Sequence, residues 1–368
     1  MKTKEKSKNS LLKLLKVIVV IFIITGFVIG GMNGALGKSE NVQLAHIVRT
    51  IYLMYENIFR TVIIIISSYI TFKLLKNRNK GSKMRFVSLI TFSSFMLIIF
   101  VIMPLITGIA DVAIAVMPFS WSSMPIQLLK DGHFFSSSIQ SHTVNILLIM
   151  YVVYQGVVLL GTLIYGRRFH CSMICPYAGG HAESFSLALP LIKKKNSRSG
   201  FSNLTLKLLN ILKVFMILFA FGIMGLMAID VFGGIEVVSF ETLRQMEMIK
   251  YMTFDIILMQ LAYVTLNGRG YCYYCPAGTI LGLVSKLSGQ RIETDLTECI
   301  NCGLCDRECD MSICISEKAL KGEALSHINC VGCGHCVDIC PKDNLKYSTS
   351  ITRKIYAKKE TTTDCSCN

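Results

Sequence analysis

Cys299-Ile-Asn-Cys302-Gly-Leu-Cys305-Asp-Arg-Glu-Cys309 and Cys330-Val-Gly-Cys333-Gly-His-Cys336-Val-Asp-Ile-Cys340-Pro341 are the two stretches on which the reading of this chain turns. Each spaces four cysteines by two, two and three residues. A [4Fe–4S] cube needs four thiolates, and a C-x2-C-x2-C loop supplies three of them while its backbone curls around the cube. The fourth Cys of such a run ligates the other cluster. The spacing therefore assigns Cys299, Cys302, Cys305 and Cys340 to one cluster, and Cys330, Cys333, Cys336 and Cys309 to a second. Gly303, Gly332 and Gly334 relieve crowding where backbone approaches metal. A structural zinc site would use paired C-x2-C units and four ligands in all. Two complete runs, one closed by Pro341, fit iron–sulfur instead. The surrounding polar segment, 290–348, is too small for much of a core, so its clusters belong to its folding free energy. Cys314 lies outside both sets and reads as an inert thiol.

Upstream of these runs the composition changes. Of the 368 residues, 52% are hydrophobic and only 17% charged, against about 25% in an ordinary soluble domain. Six apolar runs account for this: Val17–Leu36, Ile51–Leu75, Phe86–Ala110, Thr143–Tyr165, Leu208–Ile229 and the shorter Tyr251–Leu266. A run of about 20 apolar residues spans a bilayer. In the second run Glu56 and Arg60 are four apart, so on a helix they pair.

The net charge of +15 invites a nucleic-acid reading, but the basic residues sit in short loops between the runs, where they set topology. Residues 1–16, 73–85 and 166–207 hold nineteen Lys and Arg between them, and the alternate loops hold five. That bias puts both termini on the cytoplasmic side of the cell (inner) membrane. Cluster thiolates need a reducing compartment, which puts the cysteine-rich tail on the same side. The expected organisation is a cytoplasmic segment with two spans (1–85), a four-helix core (86–289), the cluster domain (290–348) and a loose tail (349–368). Lone Trp121 is expected at a membrane interface. Cys365 and Cys367 fall in the tail.

A second cysteine constellation follows the fourth and sixth runs. Gly166-Arg167-Arg168-Phe169-His170-Cys171-x3-Cys175-Pro176-Tyr177-Ala178-Gly179 resembles Gly268-Arg269-Gly270-Tyr271-Cys272-x2-Cys275-Pro276-Ala277-Gly278 as an internal repeat. Both emerge on the cytoplasmic side. Cys171, Cys175, Cys272 and Cys275 together offer four thiolates. Three readings fit the quartet: a third metal centre, iron–sulfur in type; a dithiol couple; and buried structural cysteines.

The cluster runs resemble bacterial two-cluster ferredoxins, with Asp310 where Pro is usual after the fourth cysteine. Taken with the Gly-Arg, Cys-Pro repeats and several spans, residues from about Phe86 to Tyr347 resemble the NapH/NosR family of membrane-bound polyferredoxins. The resemblance implies a polytopic α-helical membrane protein with a C-terminal α+β ferredoxin domain. It implies quinol-linked electron transfer in anaerobic respiration, with a partner redox protein. Members usually show C-x3-C-P twice, and the second motif here is one residue shorter. The first two spans are additional to a four-span core, and no soluble segment for a flavin precedes them.

For quinone contact the sequence offers His46, His133 and His142, with Asp111, Asp230 and Asp255 near span ends. Two other roles fit the clusters: a metal-reducing assembly factor for a respiratory enzyme, and a redox-sensing membrane regulator. Membrane lipid is an expected partner and nucleic acid is not.

Overall fold

The computed structural model describes residues 2–36, 41–76, 83–134, 137–192, 201–295 and 298–355. Among the described residues, five helices are long and apolar enough to cross a membrane: Ser7–Leu36, Gln43–Lys76, Lys83–Thr107, Ser141–Tyr165 and Asn203–Gly233. The fourth shows why. It buries Leu147, Tyr151, Tyr154 and Val158 and exposes Ile149, Val152, Val153 and Leu160. Spacings of three and four put these on two faces of one helix, and both faces are apolar. An apolar outward face is what lipid requires, because backbone polar groups are already satisfied within the helix. This is a helical membrane protein.

The sixth helix starts well before the expected Tyr251. Ser239 caps it, accepting from the Thr242 amide at 3.3 Å. Phe240–Lys250, the π-helical Tyr251–Leu258 and Met259–Thr265 then run on without a break. It is less apolar than the other five because Glu247, Lys250 and Asp255 are buried in it. Lys250 Nζ lies 3.5 Å from Asp255 Oδ2.

Those charges hold a segment that folds into the bundle. Trp121 is not an interfacial anchor: it is 3% exposed and stacks on Tyr177, with ring centroids 4.4 Å apart. Lys250 Nζ donates to the Trp121 carbonyl at 2.6 Å. The Glu247 carboxylate accepts from the Ser123 amide and from Gln127 Nε2, both at 2.7 Å. Buried charges persist only when partnered in this way. The loop after the third span thus meets the first Cys-Pro segment inside the protein.

In the C-terminal domain, strand Arg291–Glu293 pairs antiparallel with Lys346–Ser348, Ile292 opposite Tyr347. The two cluster runs share one backbone plan. Asn301 and Gly303 have φ of 52° and 62°, and Gly332 and Gly334, at the same places in the second run, have 64° and 86°. Left-handed residues here turn the chain back on itself between cysteines, and glycine takes that conformation without a steric penalty. Short helices Leu304–Arg307 and His335–Ile339 follow.

The domain is seated on the bundle. Tyr347 Oη donates to the Tyr165 carbonyl at 2.6 Å and Asn267 Nδ2 to the Asp310 carbonyl at 2.7 Å. Ser172 Oγ donates to the Val331 carbonyl at 3.0 Å. The expected tail also starts later than 349. Thr349 is fully buried and donates to the Ile164 carbonyl at 2.8 Å, and a helical turn reaches 355. Cys365 and Cys367 lie outside the described residues.

Candidate metal centres

Cys299, Cys302, Cys305 and Cys340 line one cavity, about 30 Å³ in volume, together with Pro341 and Leu345. Three come from the loop around Gly303 and the fourth follows the end of helix His335–Ile339. Burial, helped by Asp306, pushes the Cys305 thiol up to about 12. Cys309 and Cys336 both have Cys330 and Cys333 as electrostatic neighbours. Burial raises the Cys309 and Cys336 thiols, and in each case the other sulfurs of the set raise it further. Such thiols keep their protons unless a cation replaces them, which is the behaviour of a metal donor set. Cys314 is exposed and apart.

Asp310, the departure from the usual Pro, has a use that spacing did not reveal. Its Oδ2 lies 3.3 Å from His335 Nδ1, and His335 Nε2 lies 3.1 Å from Glu183 Oε2. Glu183, on the short helix Ala178–Ser184, also pairs with Arg269. Burial opposes its ionisation, but His335 and Arg269 pull its carboxyl down to about 2. The ligand atoms of Glu183, Cys333 and His335 lie within 4.8 Å of one another. Since Glu183 already serves Arg269 and His335, the trio fastens the domain rather than forming a further metal site. The only sequence signal for Glu183 was an acid in a run of small and apolar residues.

The four Cys-Pro thiols converge although they come from motifs a hundred residues apart. Cys171, Cys175, Cys272 and Cys275 line a single cavity of about 20 Å³. Gly166, at φ 72°, ends the fourth spanning helix, and the π-helical turn Phe169–Ile174 carries Cys171 inward. Helix Gly270–Tyr274 carries Cys272, and Cys275 caps helix Pro276–Leu287, its Sγ accepting from the Gly278 amide at 3.4 Å. The motifs clasp each other. Arg269 Nη1 donates to the Cys171 carbonyl at 2.6 Å, and Arg167 Nη2 donates to the Cys272 carbonyl at 3.2 Å. A Cβ on Gly179 would lie 2.2 Å from the Cys171 carbonyl oxygen, and one on Gly278 would lie 2.6 Å from Arg167 Nη2. The first position therefore needs glycine, the second leaves room for the Arg167 guanidinium, and the missing residue in the second motif does not spoil the match.

Arg167 tests whether the quartet fits a metal group. It is 1% exposed, and its other partners are Cys171 Sγ at 3.3 Å and the Ile328 carbonyl at 3.1 Å. Among the described residues no carboxylate pairs with it. Burial works against its charge, and Cys171 and Cys272 are the groups that restore it. Free thiols there do not ionise readily: burial pushes Cys175 up to about 12. A buried guanidinium facing neutral thiols is costly. A metal-bound thiolate set supplies the missing negative charge, so donors and counter-charge fit an anionic iron–sulfur group.

The residues offered for quinone contact scatter. His46 and His142 are exposed, and His133 turns back on the Asp131 carbonyl at 3.0 Å. Asp230 pairs with Lys130 at 2.9 Å and Asp111 with Arg49 at 3.0 Å. Glu56 and Arg60 form the expected helix pair, 2.6 Å apart.

Comparison with known proteins agrees with this picture. Residues 298–345 match the 4Fe-4S dicluster domain family. An uncharacterized protein of Methanocaldococcus jannaschii is 24% identical over 206 residues, 55% of this chain and 74% of its own. YccM of Escherichia coli, provisionally named an electron transport protein, is 36% identical over 69 residues, 19% of this chain and 18% of its own. The ferredoxin-type protein NapH of Haemophilus influenzae is 31% identical over 87 residues, 22% of this chain and 30% of its own. No solved structure matches. With a dicluster domain, paired Cys-Pro motifs and a bundle of apolar helices in one chain, this is a membrane protein with an iron–sulfur electron-transfer role, similar over part of its length to ferredoxin-type proteins such as NapH.

Proposed function

We propose that the chain passes single electrons between a lipid-soluble quinone pool and a partner redox protein. Three iron–sulfur centres carry them: Cys299, Cys302, Cys305 and Cys340 hold the first, Cys330, Cys333, Cys336 and Cys309 the second, and the Cys-Pro quartet the third. Bound cubes take up and release one electron each, at potentials set by hydrogen bonds, charge and burial.

The observation that carries this reading is the way Arg167 joins the quartet to the second set. Its Nε reaches Cys171 Sγ, while its amide binds Gln290 Oε1 at 2.7 Å. Gln290 Nε2 in turn donates to the Cys330 carbonyl at 2.8 Å. Two side chains thus separate quartet from cluster loop. Arg168 adds a second tie, from Nη1 to the Gly332 carbonyl at 2.8 Å. The basic loops support placing both termini and the ferredoxin domain in the cytoplasm, with the bundle crossing the inner membrane several times.

The test is anaerobic purification with iron and sulfide counts, followed by electron paramagnetic resonance after adding a naphthohydroquinone. About twelve irons per chain and reduction by the hydroquinone are expected. About eight irons would remove the third centre. Full clusters that the hydroquinone leaves oxidised would remove the quinone pool as electron source.

A further inference from the structure

A further cavity, of about 130 Å³, lies among the helix ends remote from the ferredoxin domain. Its walls come from the end of the first helix, the start of the second, the loop after the third and the start of the sixth. We propose that it binds the ring of a lipid-soluble hydroquinone, with Glu56 as the group that accepts a ring hydroxyl's hydrogen bond and proton. The proposal rests on the electron-transfer reading above.

Three observations converge on it. The first is size and lining. A cavity of roughly 150 Å³ is enough to take up benzene. Here Leu53, Met252 and Ile256 supply apolar wall, while Glu56, Tyr52 and Tyr251 supply polar groups. An aromatic ring with a hydroxyl at each end needs both kinds of surface. Tyrosine hydroxyls donate to the carbonyls of the oxidised ring, and the carboxylate accepts from the hydroxyls of the reduced one.

The second is the room itself. Gly30 and Gly34, one turn apart on the first helix, line the cavity. A Cβ on Gly30 would meet nothing within 4 Å, and one on Gly34 would meet only Met252 Cε at 3.7 Å. These glycines are not there for close helix packing; they leave space open.

The third is Tyr177. It lines this cavity and also the quartet's cavity, two residues beyond Cys175. One aromatic side chain, stacked on Trp121, therefore stands between a bound ring and the four thiols. Oxidation of a hydroquinone to the quinone releases two electrons and two protons. Glu56 is placed to take one proton, and the Arg49–Asp111 pair at the cavity wall, 33% and 22% exposed, marks the way to solvent for both. The electrons leave one at a time to iron–sulfur acceptors beyond Tyr177.

The test uses the full chain with its clusters in phospholipid nanodiscs. A photoreactive azidonaphthoquinone is cross-linked and the labelled peptides mapped, with unlabelled naphthoquinone as competitor. Gly34→Leu fills the cavity and leaves the Glu56–Arg60 pair intact; Glu56→Gln removes the acceptor. Competed labelling of peptides holding Tyr52, Tyr177 or Tyr251 is expected, falling by about tenfold in Gly34→Leu while iron content stays unchanged. Labelling spread over the outward helix faces and indifferent to Gly34→Leu would overturn the site. So would hydroquinone reduction of the clusters at full rate in both variants, although the electron-transfer reading would then survive. Competed labelling in the cavity with no cluster reduction would support the site and sink that reading.

Discussion

The two cysteine constellations hold their thiols by opposite means. In the ferredoxin domain three ligands of each set lie within seven residues, and two left-handed positions per run shape the loop. In the Cys-Pro quartet no ligand set is local. The thiols meet only because two buried arginines exchange hydrogen bonds with each other's motif and two glycines leave room for them. The first design depends on its metal; the second depends on the bundle.

Removing iron with a chelator should separate them most sharply. The ferredoxin domain has a pair of three-residue strands and, among the described residues, helices of at most five residues, so it should lose its fold with its clusters. The spanning helices should keep theirs. Proteolysis is expected to cut between 294 and 345 and spare the bundle, and equal loss of helix in both regions by circular dichroism would break the contrast.

Glycine substitutions come next. Gly179→Ala forces a methyl onto the Cys171 carbonyl oxygen and should empty the quartet, lowering iron by about four per chain. Gly334→Ala, at φ 86° and with its methyl 3.0 Å from Met84 Cβ, meets a backbone penalty of about 1–2 kcal/mol and a contact with a side chain rather than a ligand's backbone, and should retain its iron. Iron analysis of the two variants ranks them.

Arg167→Met is a finer probe. It keeps the bulk but removes the charge beside the quartet. One cluster signal of three should move to lower potential, by about 60 mV, a tenfold change in its one-electron equilibrium. A titration followed by electron paramagnetic resonance reads this, and three unmoved signals would deny the arginine its electrostatic part. The smallest effect belongs to Tyr347→Phe. It deletes the hydrogen bond to the Tyr165 carbonyl and should loosen domain seating by about 1 kcal/mol, seen as faster amide exchange in strand Lys346–Ser348.

What could be read from residues alone follows the same division. Apolar runs foretold the spans, the two cysteine runs foretold a dicluster domain, and four-residue spacing foretold the Glu56–Arg60 pair. All of these are local, set by repeat length along one element. The sixth helix was underestimated at its start because Glu241, Arg244, Glu247 and Lys250 look like loop residues until their partners are known; Arg244 pairs with Asp131 at 2.7 Å, across the bundle. Trp121 was misplaced for a similar reason, since its tendency toward interfaces yielded to stacking on Tyr177. Glu183 and His335 escaped notice because a buried ion pair between distant elements leaves no periodic trace. Nor does a cavity: Gly30 and Gly34 look like helix-packing residues until the space beside them is seen.

The reciprocal arginines also impose a timetable. Arg167 emerges from the ribosome about 100 residues before Arg269, which at about 5–20 residues per second is a wait of about 5–20 s. During that interval the first motif has neither the carbonyl it donates to nor the guanidinium it will receive. The quartet therefore comes into being only when the sixth helix is in place, and a chain truncated before Gly268 should leave Cys171 and Cys175 open to oxidation. On the proposed reading, metal loading of this centre would report that insertion of the bundle has finished.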